Sequence, residues 1–304
     1  MYSELISIIT PVYNAAQYLP AMLESVKSQT WQCYEHLIID DCSTDGSIDV
    51  IDSYAREDSR IRLFVQDRNG GPARARNRGI IESEGRFIAF LDADDLWMAE
   101  KLKTQLHALQ NHPDIGLVGT NQVVVNVDGH PIQSREKKFK QCWGEVDLPQ
   151  YVLDRISLAT SSVLLRKECL EACGMFNEVY VPCEDYELWL RIIQKFQVGV
   201  LQEKLIAYRV HAENISKNKI AVRTAKLKIF ENEVLPKLDM FGNRRCEFQE
   251  KMQKSYLSLG KLLVKQGRKK EAEICFEKSL HGEYRDFLIV FKALYWKLIN
   301  KHFF

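Results

Sequence analysis

A chain of 304 residues with 46% hydrophobic content can fill one large domain, or a domain of about 200 residues with a smaller appendage. Lys plus Arg (42) nearly cancel Asp plus Glu (41), so no global basic field argues for nucleic acid as a partner. The eight cysteines include no C-x-x-C pair, which fits neither a zinc ribbon nor a small disulfide scaffold and implies reduced, mostly buried thiols.

The opening "MYSELISIITPVYN" lacks a basic region followed by a long apolar one, so it reads as a first strand and not a signal peptide. No eighteen apolar residues run together, and a cytoplasmic protein is expected. From there, "LISIIT" (5–10), "HLIID" (36–40), "RIRLFV" (60–65), "FIAFLD" (87–92) and "IGLVGT" (115–120) read as strands buried on both faces. Leu19, Met22, Leu23 and Val26 form a helical stripe between the first two, and Ile48, Ile51 and Tyr54 mark another in the next connection. Strand and helix in alternation predict a mostly parallel α/β sheet.

Ligands of open α/β sheets bind beyond the carboxyl ends of the strands. Polar residues collect there: Thr10, Pro11 and Asn14 after the first strand, Asp40 and Asp41 after the second, Asn69-Gly70-Gly71 after the third, and Asp92, Asp94 and Asp95 after the fourth. Neighbouring carboxylates raise one another's pKa, so the last cluster calls for water, a cation or a basic partner. By itself a D-x-D triplet also fits a plain solvated turn.

After residue 126 the pattern loosens through a basic run, "REKKFK" (135–140), which reads as a solvated loop. "ATSSVLLRKECLEACGMF" then predicts a strand or turn passing into a short helix ended by Gly174. In "CEDYELWLRIIQKF" a helix carries Leu188, Ile192 and Phe196 on one face, with Glu184 and Asp185 in its first turn, where carboxylates suit the helix dipole.

Near residue 215 the chain becomes helix-rich and lysine-rich, which divides it into 1–215 and 216–304. Within the second region, residues 256–280 place Leu259-Gly260, Leu263, Gly267, Ala272 and Phe276 at the spacings of one tetratricopeptide-like hairpin; a plain two-helix cap fits as well. The tail 281–304 interleaves aromatics with Lys292, Lys297 and Lys301, as in an interfacial helix that contacts the inner membrane leaflet, or in a helix docked on its own domain.

Taken together, "SIITPVYN", "LIIDDCSTDGS", "NGGPARARNRGI", "GRFIAFLDADD" and "GMFNE" with "CEDYELWLR" resemble the family 2 glycosyltransferases with the GT-A fold, over about residues 3 to 211. The resemblance implies a Rossmann-like sheet with flanking helices and a nucleotide-diphosphate sugar as donor, with a UDP-sugar favoured. It implies a divalent cation, Mn2+ or Mg2+, on Asp94, with Asp92 near the ribose or the metal's water shell. His211 in "YRVHAENIS" resembles a late histidine near metal or diphosphate. Asp41 would accept from the base, Thr10, Pro11 and Asn14 would lie against the nucleotide, and Arg76 would reach the ligand. Asp185 matches the base that removes the acceptor proton with inversion. Glu184 is its neighbour, fit for helix capping or acceptor binding. Asp95 is either a site residue or a helix cap before "LWMAEKL", and Arg191 is expected to brace the sheet.

No Q-x-x-R-W, as in the family's processive synthases, follows the E-D motif, so a single transfer per encounter is expected; family analogy implies a glycan or lipid-linked acceptor in bacterial surface polysaccharide synthesis. Two rivals stand beside this reading: a sugar nucleotidyltransferase, and a catalytically idle binding module on the same scaffold.

Overall fold

The computed structural model describes residues 4–132, 142–153, 158–280 and 292–298. The run 135–140 lies outside them, as do residues 281–291 and 299–304 of the tail. The chain divides into two compact units: residues 1–146, 157–179 and 184–212, and residues 147–156, 180–183 and 213–304.

The first unit is built on one mixed sheet. Its strands are β1 (Ile6–Val12), β2 (Tyr34–Asp40), β3 (Ile61–Val65), β4 (Phe87–Phe90), β5 (Leu96–Trp97), β6 (Ile115–Val125), β7 (Cys142–Gly144), β8 (Leu164–Arg166) and β9 (Gln197–Arg209). They run in the order β3-β2-β1-β4-β8-β6-β9-β5, with β7 also on β9. The pairs β1 with β2, β1 with β4, β2 with β3 and β6 with β9 are parallel, while β8 is antiparallel to both its neighbours. The fold is thus the expected mostly parallel α/β sheet, of GT-A type. In one respect the sequence pattern misleads. β3 is an edge strand and only half-buried, because nothing pairs with its outer side among the described residues.

Helices α1 (Leu19–Lys27), α2 (Ser47–Glu57), α3 (Gly71–Glu82) and α4 (Lys101–Asn111) connect the strands. The stripe Leu19, Met22, Leu23 and Val26 is buried as its spacing demands. α3 lies close on β1: a Cβ added to Gly79 would stand 2.4 Å from Ile9 Cγ2, so only glycine allows this approach.

α5 (Leu148–Leu153) joins the second unit. α6 (Lys167–Cys173) ends at Gly174, whose φ of +83° suits the expected stop, and α7 (Glu184–Ile192) follows.

The second unit gathers α8 (Lys219–Ile229), α9 (Arg245–Lys265) and α10 (Lys269–Leu280). Its core joins Leu227, Tyr256, Leu263, Ala272, Phe276 and Ala293. α9 and α10 form a hairpin whose helices pack closely at Gly260, where an added Cβ would meet Phe276 Cε1 at 2.4 Å. Two earlier segments belong with these helices. Lys251 Nζ donates to the Val152 carbonyl on α5, and Tyr180 Oη donates to Glu233 at 2.8 Å. Residues 147–153 and 180–183 therefore pack with the helices although they precede residue 213.

The cysteines depart from the expectation of mostly buried thiols. Cys169, Cys183 and Cys275 are buried, Cys42 and Cys173 half-buried, and Cys33 and Cys246 exposed, and none of these seven forms a disulfide among the described residues. No helix among the described residues is long and apolar enough to cross a membrane.

Candidate active site

The carboxyl ends of β1, β2 and β4 lie side by side, because Val12 pairs with Asp40 and Ile9 with Phe90. After β4 the chain stays beside β1, with Leu91 N donating to the Ile9 carbonyl at 3.0 Å, and then turns through Asp92 to Asp95. Two elements hold this turn. The Ser161 hydroxyl accepts from Asp92 N at 3.1 Å and donates to Asp95 Oδ2 at 2.6 Å. Arg209 at the end of β9 donates its backbone N–H to Asp95 Oδ1 at 3.0 Å and its Nε to the Asp94 carbonyl at 2.7 Å.

Asp95 is therefore neither a ligand-facing residue nor a helix cap. It is 1% exposed, the residues after it form β5, and the next helix starts only at Lys101. Burial and then the charges of Asp94 and Asp92 push its carboxyl well above the usual carboxylate range. It anchors the turn that presents Asp92 and Asp94, whose side chains are 31% and 23% exposed.

Asp94 Oδ2 lies 2.7 Å from His211 Nε2, just beyond β9, and the imidazole packs on the Tyr18 ring with centroids 4.9 Å apart. Burial, then the charge of Asp92, raises the Asp94 pKa even though His211 lowers it. That residual strain marks a place that favours added positive charge. Among the described residues no three His, Cys, Asp or Glu side chains gather into a complete cage. An oxygen donor and an imidazole beside a second carboxylate nevertheless fit a hard divalent cation that takes its other ligands from phosphate and water.

Arg76 on α3 does not open onto the rim in the way the sequence suggests. Its guanidinium, 5% exposed, donates to Asp92 Oδ1 at 2.6 Å and to Glu184 Oε1 at 2.7 Å. Its neighbours point elsewhere: Arg74 pairs with Asp67 at 2.7 Å and Arg78 with Glu82 along the helix.

Asp185 occupies the first turn of α7. Its Oδ2 accepts from the Thr160 hydroxyl at 3.0 Å and its Oδ1 from Tyr186 N at 2.6 Å. Burial, then the adjacent Glu184 charge, lifts its pKa to about 6 against the pull of Arg76. Glu184 is buried, and its Oε2 has no hydrogen-bond partner among the described residues. Arg191 braces a loop and not the sheet. It forks onto Glu187 at 2.7 and 2.8 Å and donates to the carbonyls of Cys173 and Met175.

On the β1–β2 side, Thr10 belongs to the sheet. Its hydroxyl is fully buried, 2.9 Å from His36 Nε2, and burial lowers the His36 pKa to about 3. Pro11 lies in β1 opposite Ile39 of β2, half-buried, so the turn begins at Tyr13 and Asn14. Asn14, at φ +49°, accepts from Thr44 N at 2.8 Å and donates its own N–H to Ser43 Oγ at 3.0 Å. Asp40 Oδ2 accepts from Ser43 N at 2.9 Å and so holds the turn after β2. Asp41 is more committed than the sequence suggests. Oδ1 accepts from Gln66 Nε2 at 2.6 Å and Gly70 N at 2.8 Å, and Oδ2 accepts from Gly71 N at 2.7 Å, so it caps α3. A carboxylate offers about four acceptor positions, which leaves one for a further donor.

No sequence pattern marks Thr160 or Ser161. One short turn thus holds both Asp185 and the Asp92–Asp95 segment. The small hydroxyl run "TSS" before the buried "VLL" was its only sequence signal.

A mixed α/β sheet whose parallel strand ends converge on paired carboxylates, with a further acid at a facing helix start, defines a GT-A-type enzyme. Residues 7–161 match the family model described as glycosyl transferase family 2. The chain belongs to this family and is a glycosyltransferase. It is 32% identical over 219 residues to the putative teichuronic acid biosynthesis glycosyltransferase TuaG of Bacillus subtilis, covering 72% of this chain and 84% of that one. It is 34% identical over 220 residues to WfaP of Escherichia coli, named a UDP-Glc:alpha-D-GlcNAc-diphosphoundecaprenol beta-1,3-glucosyltransferase, covering 71% and 81%.

Among solved structures, residues 1–349 of S. aureus TarS in complex with UDP-GlcNAc superpose with a TM-score of 0.68 at 18% identity, over 97% of this chain and 88% of that one. This chain spans 53% of the longer TarS structure. A mannosyltransferase from Pyrobaculum calidifontis in complex with GDP-Man and Mn2+ gives a TM-score of 0.61 at 16% identity, over 97% and 84%. These two likenesses concern the fold. Family membership replaces the nucleotidyltransferase alternative.

Proposed function

We propose that the chain transfers one sugar per encounter, with inversion, from a UDP-sugar to a hydroxyl of a glycan or lipid-linked acceptor in surface polysaccharide synthesis. The observation that carries this reading is Asp185: a half-buried carboxylate with a pKa of about 6, oriented by Thr160, on a helix whose Glu184 shares Arg76 with Asp92. At neutral pH such a group is mostly ionised and still basic enough to take a hydroxyl proton in the transition state. The acceptor oxygen, freed of its proton, attacks the anomeric carbon from the face opposite the leaving diphosphate.

The Asp92–Asp94 turn is the donor side. Asp94 and His211 would hold a divalent cation, which when bound supplies positive charge to the leaving diphosphate. Asp92, steadied by Arg76, would serve the ribose or a water held by that cation. Asp41 keeps one acceptor position for the imide N–H of uracil, and the Tyr13–Asn14 turn borders the nucleotide. The UDP-glucose named for WfaP and the UDP-GlcNAc bound to TarS support a UDP-sugar, and the diphosphoundecaprenol acceptor named for WfaP supports a lipid-linked acceptor, which we read as presented on the inner leaflet.

Residues Leu294, Tyr295 and Leu298, each more than half exposed, would give the chain a peripheral hold on that leaflet. A screen of UDP-sugars for UDP release with Mn2+, Mg2+ and chelator tests the proposal, with product configuration read by NMR. Metal-dependent release and an inverted product support it; metal-independent release or retention refutes the mechanism.

A further inference from the structure

Arg76 and Glu184 are 108 residues apart in sequence, yet their side chains meet at 2.7 Å and both are almost fully buried. The other arm of the same guanidinium takes Asp92, and the group lies 5.4 Å from the Phe176 ring centroid, which adds a cation–π contact. A buried ion pair is weak evidence for stability, because desolvation offsets much of its attraction. What it does supply is a fixed register between the groups it joins. Here those groups are the turn after β4, which carries Asp92 and Asp94, and the first turn of α7, which carries Asp185.

We propose that Arg76 is a positioning residue: it locks the donor-side turn to the helix bearing the base and, opposed by Glu184, sets the charge that Asp185 feels. The inference rests on the reading of Asp185 as the base. The groups acting on Asp185 are Glu184 on its own helix, Arg76 from α3, the Thr160 hydroxyl from the adjoining turn and the Tyr186 N–H. Glu184 raises its proton affinity and Arg76 lowers it, so the two residues work with opposite sign although they are bonded to each other. Opposite shifts report the charges that reach Asp185, and turnover in a variant that keeps the charge reports the register.

The test is a carboxyl-carbon NMR titration of protein labelled with 13C-aspartate, in which Asp185 is assigned by the resonance missing from Asp185→Asn. The wild-type midpoint is expected at about 6. Arg76→Gln should raise it by about one unit or more and Glu184→Gln should lower it by a similar amount. Arg76→Lys, which keeps the charge but cannot fork between two carboxylates, should hold the midpoint near the wild-type value while UDP release from UDP-glucose or UDP-GlcNAc falls below the wild-type rate. If Arg76→Gln does not fold, Glu184→Gln and Arg76→Lys carry the test. Midpoints that stay put or move together overturn the proposal. Wild-type turnover in Asp185→Asn would instead overturn the base itself, so the two failures are distinguishable.

Discussion

Asp92, Asp94 and Asp95 are consecutive in pattern but not in role, and burial separates them. Asp95 spends both oxygens on Ser161 and Arg209, whereas Asp92 and Asp94 keep open surface. Asp94→Asn removes a carboxylate whose charge is already disfavoured, so the metal-free protein should melt at an unchanged or slightly higher temperature while metal-dependent UDP release is lost. Calorimetry beside the turnover assay checks both halves. Asp185→Asn should lower kcat by about 10²–10⁴-fold with donor affinity kept, read by titration calorimetry with UDP. Its effect on stability has a definite sign. The folded pKa of about 6 lies above the ordinary value of 3.8, so the native state binds the proton more tightly than the unfolded chain between roughly pH 4 and 6. The penalty for ionising Asp185 is full above that window and absent below it. Denaturant unfolding should therefore find Asp185→Asn more stable than the wild type by about 1–3 kcal/mol at pH 7.5, with no gain near pH 3.5. The sequence motif marked Asp185 and Asp94, but Thr160 and Ser161 were not legible: their partners lie 25 to 69 residues away, and a hydroxyl in a turn carries no periodic signal.

At the scale of elements, the strands that periodicity reveals are those flanked by helices. β1, β2 and β4 are buried throughout or nearly so and were plain in the sequence. β9 was not, because its central Gln202, Glu203 and Lys204 are exposed and interrupt the apolar run, with register shifts against β6 in the same stretch. Yet β9 ends in Arg209 and leads to His211, so the unread strand positions part of the site. The Thr10–His36 pair between β1 and β2 gives a second pH test. The His36 pKa of about 3 lies below the usual 6.5, so unfolding takes up a proton between those values and stability falls as pH drops through that window. His36→Gln should flatten this loss, seen as a smaller decline of the denaturant midpoint from pH 7 to 4. In the helical unit, Gly260→Ala forces a methyl group against Phe276 and should destabilise it by about 1–3 kcal/mol, visible as an earlier melting transition by far-UV circular dichroism.

For the whole molecule, the two compact units differ in how far the sequence explains them. The family motifs cover the sheet and its rim and leave the helical region unaccounted for, since no chemistry fixes its residues. Its packing also changes what can be tested. Ala293 is buried in the helical core and Lys297 pairs with Glu277 at 2.7 Å, so removing the whole tail would strip that core. Replacement of exposed Leu294 and Leu298 by Glu is the gentler probe. It should reduce co-sedimentation with anionic vesicles and leave UDP release in solution unchanged, whereas equal sedimentation would refute the membrane contact. The central claim is tested most directly by UDP release from UDP-glucose and UDP-GlcNAc with Mn2+ and a GlcNAc-diphosphoprenol acceptor, comparing the wild type with Asp185→Asn. The predicted result is acceptor-dependent release by the wild type and loss of at least about 10²-fold in the variant, with UDP still bound. Release by the variant at the wild-type rate would contradict the account.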